Sequence, residues 1–220
     1  MEKQYFIRFQ ELCIDILSQS DNCQESQKLF REAKSVPELV AAWQRFWAGV
    51  LHEVPEQVIT AFSKLYPVYR SDIIRAGVYY NESPVTNSGG MVLVGDKPEG
   101  VAINPVVITG RHRIYVLGDM PVTVDDNCSV HVAADRADVI VKGHARAVIE
   151  QGKLTARDFA FVSGKGNITC YDAATLYVNG GRLDDHGHME IVASGDAMVY
   201  SFTNRRITVQ ANAKLYYKQQ

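Results

Sequence analysis

The sequence predicts an α+β protein in which a small N-terminal helical bundle, residues 1–82, caps a C-terminal β-solenoid, residues 105–220, with a linker and one short strand over 83–104. Three observations predict it. Apolar residues recur at helical spacing up to about Glu82, they recur at every eighth position beyond Asn104, and turn residues crowd the stretch between. With 46% hydrophobic and 22% charged residues over 220 positions, the chain excludes a disordered tail and a coiled-coil rod.

The first helix carries Phe6, Phe9, Cys13, Ile16 and Leu17 on one face. Asn22-Cys23-Gln24-Glu25 pairs an N-cap residue with a glutamate three positions on, and opens a second helix with Leu29 and Phe30. Ser35-Val36-Pro37-Glu38 repeats the signal, and Pro37 is harmless there because first-turn amides lack a helical partner. The third helix presents Leu39, Val40, Trp43, Phe46, Trp47 and Val50. Its two tryptophans read as a core seam rather than a binding platform, because they share a stripe with Leu39 and Phe46. Pro55 opens a helix with Val58, Ile59, Phe62 and Leu65, and a short last helix from Val68 to about Ala76 closes the set.

Residues 83–100 are rich in Ser, Pro, Asn and Gly around the strand Met91 to Val94. Gly89-Gly90 lacks the flanking residues of a phosphate loop and reads as linker. Beyond it, apolar residues stand at Val106, Ile114, Val122 and Val130, then at Val162, Cys170 and Val178, and again at Ile191, Val199, Ile207 and Leu215. At this apolar fraction, eight constrained positions are all apolar by chance with a probability of ~0.002. Slips through Val139, Ala147 and Leu154 join the runs. A second column lies two residues on, at Ile108, Val116, Val124, Val132, Val141 and Ile149, and so on the same strand face. A third lies five residues on, at Asp119, Asn127, Asp135, Asn167, Asp196, Asn204 and Asn212, where residues that tolerate the left-handed conformation suit a corner.

A unit of two inward residues and a corner buries too little surface to fold alone, so successive units coil and each strand pairs with the one a turn earlier. Two units per turn give about seven turns, roughly 34 Å long. Gly164, Asp172, Gly180 and Ser201 fall in the second inward column and interrupt it. The alternative fold is a helical region plus an antiparallel β-sandwich, but its two-residue turns with Gly after Asn or Asp are missing from the corners.

Cys128-Ser-Val-His-Val-Ala-Ala-Asp135, Ala197-Met-Val-Tyr-Ser-Phe-Thr-Asn204 and Arg205-Arg-Ile-Thr-Val-Gln-Ala-Asn212 resemble the degenerate octapeptide repeats of bacterial and phage-associated single-stranded β-helix proteins. Those proteins join a short helical N-terminal region to the repeats. The resemblance covers the last half of the chain and implies an architecture with no catalytic residues to carry over.

Chemistry-bearing residues are few. Between Val178 and Ile191 the period is broken by five extra residues within Gly181 to His188, read as a protruding loop. Its Asp184, Asp185, His186 and His188 are the candidate ligand-binding residues, for a divalent metal, acid/base work or a glycan; the bland reading is a solvated polar loop. Asp172 with Asp184 and Asp185 is the one carboxylate set near enough in sequence for sugar cleavage. His131, between inward Val130 and Val132, faces out. Cys13, Cys23, Cys128 and Cys170 read as reduced thiols. No catalytic residue, resident metal or cofactor is assigned.

A net charge of -2 and the acids near Arg111, Arg113, Arg136, Lys142 and Arg146 speak against a nucleic-acid partner. No apolar run reaches membrane-spanning length and the N-terminus lacks a secretory signal, so a cytoplasmic or virion-associated protein is expected. A solenoid leaves strand edges at its ends. The expected role is a non-enzymatic structural or interaction scaffold, phage- or mobile-element-associated. Its interface is the C-terminal edge, Lys214, Leu215, Tyr216, Tyr217 and Lys218, which meets a protein partner or a second copy. The alternatives are a carbohydrate-binding or carbohydrate-cleaving β-helix using residues 184–188, and a polymer resembling bactofilins in its short β repeats.

Overall fold

The computed structural model describes residues 2–19, 24–53, 55–100, 103–203 and 205–218, and divides into two compact units, 1–80 and 81–220. The first holds α1 (Glu2–Gln19), α2 (Gln24–Glu32), α3 (Val36–Glu53), α4 (Pro55–Arg75) and a short β1 (Val78–Tyr80).

The helices bury the faces their spacing marks. Phe9, Cys13, Ile16, Leu17, Phe30, Leu39, Val40, Trp43, Val58, Phe62 and Leu65 are all buried. The Trp43 ring stacks on Phe62 at 5.3 Å, and Phe9 meets both edge-on. Trp43 is therefore core; the side chains of Trp47 and Val50 lie outside the described residues, as do Asn22 and Cys23. At the start of α3 the Glu38 N–H donates to Ser35 Oγ, while the Glu38 carboxylate reaches back to the Lys34 N–H, one residue earlier than a reciprocal capping box requires. The two helices expected after Pro55 follow one another within α4, which kinks where they join. Pro67 lies inside α4, where a missing N–H and a bulky ring weaken the ladder, and Tyr69 departs to φ -118, ψ 23.

The second unit is a parallel β-solenoid of about nine turns. Its strands are β2 (Ser88–Val94), β3 (Val106–Ile108), β4 (Arg111–Val116), β5 (Val122–Val124), β6 (Ser129–Val132), β7 (Asp138–Val141), β8 (Arg146–Ile149) and β9 (Lys153–Ala156). Then come β10 (Phe161–Cys170), β11 (Thr175–Asp185), β12 (Glu190–Ala193), β13 (Met198–Ser201), β14 (Thr208–Val209) and β15 (Lys214–Tyr217). They stack in two ladders. One runs β2, β4, β6, β8, the first halves of β10 and β11, β12 and β14. The other runs β3, β5, β7, β9, the second halves of β10 and β11, β13 and β15. These pairings are all parallel, which excludes the antiparallel sandwich. The strand Met91 to Val94, expected within a linker, pairs with β4 as a rung of its own and lengthens the stack beyond the expected seven turns.

Register follows the columns: Val106 lies beside Val122 and Val122 beside Val139, while Ile114 lies beside Val130 and Val130 beside Ala147. Their side chains and those two residues on are buried from Val106 to Val162, each burial worth ~1.5–3 kcal/mol against exposure for a full-sized aliphatic. The expected register fails between Gly164 and Leu183. There β10 and β11 each pass from one ladder to the other as one continuous strand, so Ile168 and Leu176 are the first inward residues while Cys170 and Val178 are the second. Glycine permits the short corner. Gly164 has φ +122, and a Cβ there would lie 1.9 Å from the Ile149 carbonyl oxygen. With the corner shortened, Asp172 is an exposed corner residue, whereas Gly180 is buried within β11 and keeps to its inward alternation.

The left-handed corner residue also sits one position earlier than expected. Asp126, Asp158, Asp172, Gly195 and Ala211 have positive φ, ahead of Asn127, Asp196 and Asn212; Asn204 lies outside the described residues. The aspartates link neighbouring corners. Asp126 accepts from the Gly110 N–H at 2.9 Å, Asp158 from Gly143 at 3.1 Å, and Asp172 from Asp158 at 3.3 Å.

Candidate functional site

Residues 184–188 are not an inserted loop. The strand β11 runs through Asp185, and strand alternation sends Asp184 outward and Asp185 into the core. Asp184 forms an ion pair with Arg182 at 3.0 Å, and the Arg182 guanidinium covers the Tyr200 ring. His186 projects from the next corner, sandwiched between the rings of Tyr171 at 5.1 Å and Phe202 at 4.5 Å. Its faces are occupied and only its edge meets solvent. His188 turns back inside and is buried beside Asp185.

The four residues therefore divide between two faces. Asp185 and His188 meet; Asp184 and His186 do not join them. Asp172 lies on an exposed corner and shares no face with Asp185, so the carboxylates proposed for sugar cleavage do not converge. Among the described residues, no group of three or more His, Cys, Asp and Glu is placed to hold a metal ion.

The Asp185 carboxylate is fully buried and collects donors from three segments. Its Oδ1 faces His188 Nδ1 at 2.9 Å, the Gly187 N–H at 3.1 Å and Cys170 Sγ at 3.5 Å. Its Oδ2 accepts from Ser201 Oγ at 2.6 Å and Thr203 Oγ1 at 3.0 Å. Burial alone would raise this carboxyl, but hydrogen bonds from Ser201 and His188, the His188 charge interaction and Thr203 outweigh it and hold Asp185 below the ordinary carboxylate value. The Cys170 thiol goes the other way: burial and the Asp185 charge push it up, so it stays protonated and is no nucleophile at neutral pH. The Arg205 guanidinium donates to the His188 carbonyl, and His188 Nε2 lies 3.4 Å from the Arg206 carbonyl. The cluster ties the 186–188 corner to Thr203, Arg205 and Arg206 near the end of the core. Its acceptor capacity is filled by the protein, leaving no lone pair directed at a ligand.

Sequence reasoning missed Cys170, Ser201, Thr203 and Arg205. The signal was present for two of them, because Cys170, Asp185 and Ser201 occupy successive inward positions of one ladder once the register is corrected.

The other predicted site is the last rung. β14 pairs only with β12, and β15 only with β13, so among the described residues no strand covers their outer sides. Lys214 N–H donates to the Ala197 carbonyl and Lys218 N–H to the Ser201 carbonyl. By strand alternation the amides of Leu215 and Tyr217 point away from β13, towards the open side. The inward column loses its cover here: Val209 is 38% exposed and Tyr217 59%, while Leu215 is half-buried. Tyr216 stacks on Tyr200 at 5.1 Å, and Lys218 lies over the Tyr200 ring.

The fold and these two features describe a helical unit and a parallel β-solenoid that holds a closed polar staple and whose last rung, among the described residues, carries no further strand. No protein-family model, curated protein or solved structure matches the chain. No helix among the described residues is long and apolar enough to cross a membrane.

Proposed function

We propose that this protein is a non-enzymatic structural scaffold that joins another chain by strand addition at Lys214, Leu215, Tyr216, Tyr217 and Lys218. The observation that carries the reading is the coincidence of unpaired strand edges with exposed inward side chains, Val209 and Tyr217, at the same rung. An added strand satisfies the outward amides and covers the open end of the core in one event. The likeness of the octads to those of bacterial and phage-associated single-stranded β-helix proteins supports an assembly role, with phage or mobile-element material as its setting.

The test is amide hydrogen exchange with and without the neutral strand peptide Ser-Thr-Val-Thr-Val-Thr-Ser, together with light scattering over a concentration series. Slower exchange in β14 and β15 on peptide addition is expected, or a mass that grows with concentration. Tyr217→Pro, which removes an outward N–H, should abolish the effect, whereas Tyr217→Ala should only weaken it. Unchanged exchange together with a constant monomer mass would overturn the proposal.

A further inference from the structure

The charge on the last rung identifies the partner's chemistry, resting on the strand-addition reading above. After Asp196 the sequence contains no Asp or Glu, while it carries Arg205, Arg206, Lys214 and Lys218. Earlier rungs mix the two signs, with pairs such as Lys142 and Asp125 at 2.9 Å and Arg182 and Asp184 at 3.0 Å. On the last rung all four cations are exposed, and among the described residues none is paired with a carboxylate. A second copy meeting this edge through its own would bring eight cationic side chains together with no Asp or Glu side chain from the same segment, so self-pairing is opposed by repulsion.

We infer that the edge receives an extended acidic segment of a different protein. Register refines the pattern. The existing rungs align residue for residue, Met198 beside Lys214 and Ser201 beside Tyr217. Within β15, Leu215 and Tyr217 occupy inward positions, and Lys214 and Tyr216 face outward. A strand continuing this register sets an acid beside Lys214, an apolar residue beside Leu215, any residue beside Tyr216, an apolar residue beside Tyr217 and an acid beside Lys218. Arg205 and Arg206 flank β14 and extend the positive field along the same rung. Main-chain hydrogen bonds to the outward amides supply affinity that charge alone does not, which favours a strand over a nucleic acid.

The experiment titrates the full chain with labelled Ser-Glu-Val-Thr-Val-Glu-Ser, its counterpart Ser-Lys-Val-Thr-Val-Lys-Ser and a single-stranded oligonucleotide of equal charge to the acidic peptide, at about 50 and 150 mM salt. The acidic peptide should bind at least tenfold more tightly than the other two, less so at the higher salt. Lys214→Glu/Lys218→Glu should invert the preference between the peptides. Lys214→Gln/Lys218→Gln should remove it, and it serves where circular dichroism shows the reversed variant unfolded. Equal binding of the two peptides, a preference that neither variant moves, or an oligonucleotide that binds as tightly overturns the acidic-strand assignment. If the neutral peptide still protects β15, the open-edge reading survives that failure; if no peptide protects it, both fall.

Discussion

Asp185 shows how one buried charge substitutes for apolar packing at the end of a core. Its neighbours in the same inward column, Cys170 and Ser201, are themselves polarisable or polar, and together with His188 and Thr203 they fill every acceptor position the carboxylate offers. Removing the carboxylate leaves His188 and two hydroxyls buried without it, so Asp185→Ala should cost about 3 kcal/mol in urea denaturation. The sign of the pH effect follows from the direction of the shift. A carboxyl held below its ordinary value contributes fully above about pH 4 and loses that contribution as pH falls through the lower folded-state value. Asp185→Asn should therefore be less stable than the parent at pH 7 and approach it at low pH, as read by thermal melts across that range.

At the level of elements, corners decide where strands begin and helix caps decide where helices do. Gly164 combines a φ of +122 with a site where any Cβ collides with the Ile149 carbonyl oxygen. Gly164→Ala must shift backbone on two rungs, and a loss of 2 kcal/mol or more, about that order, is expected in chemical denaturation. Ser35→Ala removes the acceptor for the Glu38 N–H at the start of α3 while leaving the Glu38 to Lys34 bond in place. Its expected cost is about 1 kcal/mol, localised to the helical unit and visible as faster amide exchange in the first turn of α3.

Over the whole molecule, the two compact units have different physical bases for stability. The helical unit depends on an aromatic cluster around Trp43, whose buried indole N–H meets no hydrogen-bond acceptor among the described residues. A unit of that size buries a modest share of its surface. The solenoid distributes its stability over repeated neighbour contacts. Residues 81–220 expressed alone should keep their strand signal in circular dichroism, whereas residues 1–80 alone should melt at a markedly lower temperature. Equal melting temperatures for the two fragments would contradict this division.

The sequence by itself determined the class of each half. Helical spacing from Phe9 to Leu65 and the every-eighth placement of Val106, Ile114, Val122 and Val130 follow from side-chain direction, a local property that periodicity records. It did not determine where the period slips. At Gly164 and Gly181 the corner contracts because carbonyls of neighbouring rungs press against positions where only hydrogen fits, and those carbonyls belong to residues far off in the chain. That slip moved Asp185 from an expected loop into the core and set it against Ser201 and Thr203, so the polar staple was legible only after the turns had stacked. Tertiary structure also separated His186 from His188, since a corner sends residues two apart to opposite sides of the wall, and no spacing rule for strands or helices encodes that choice.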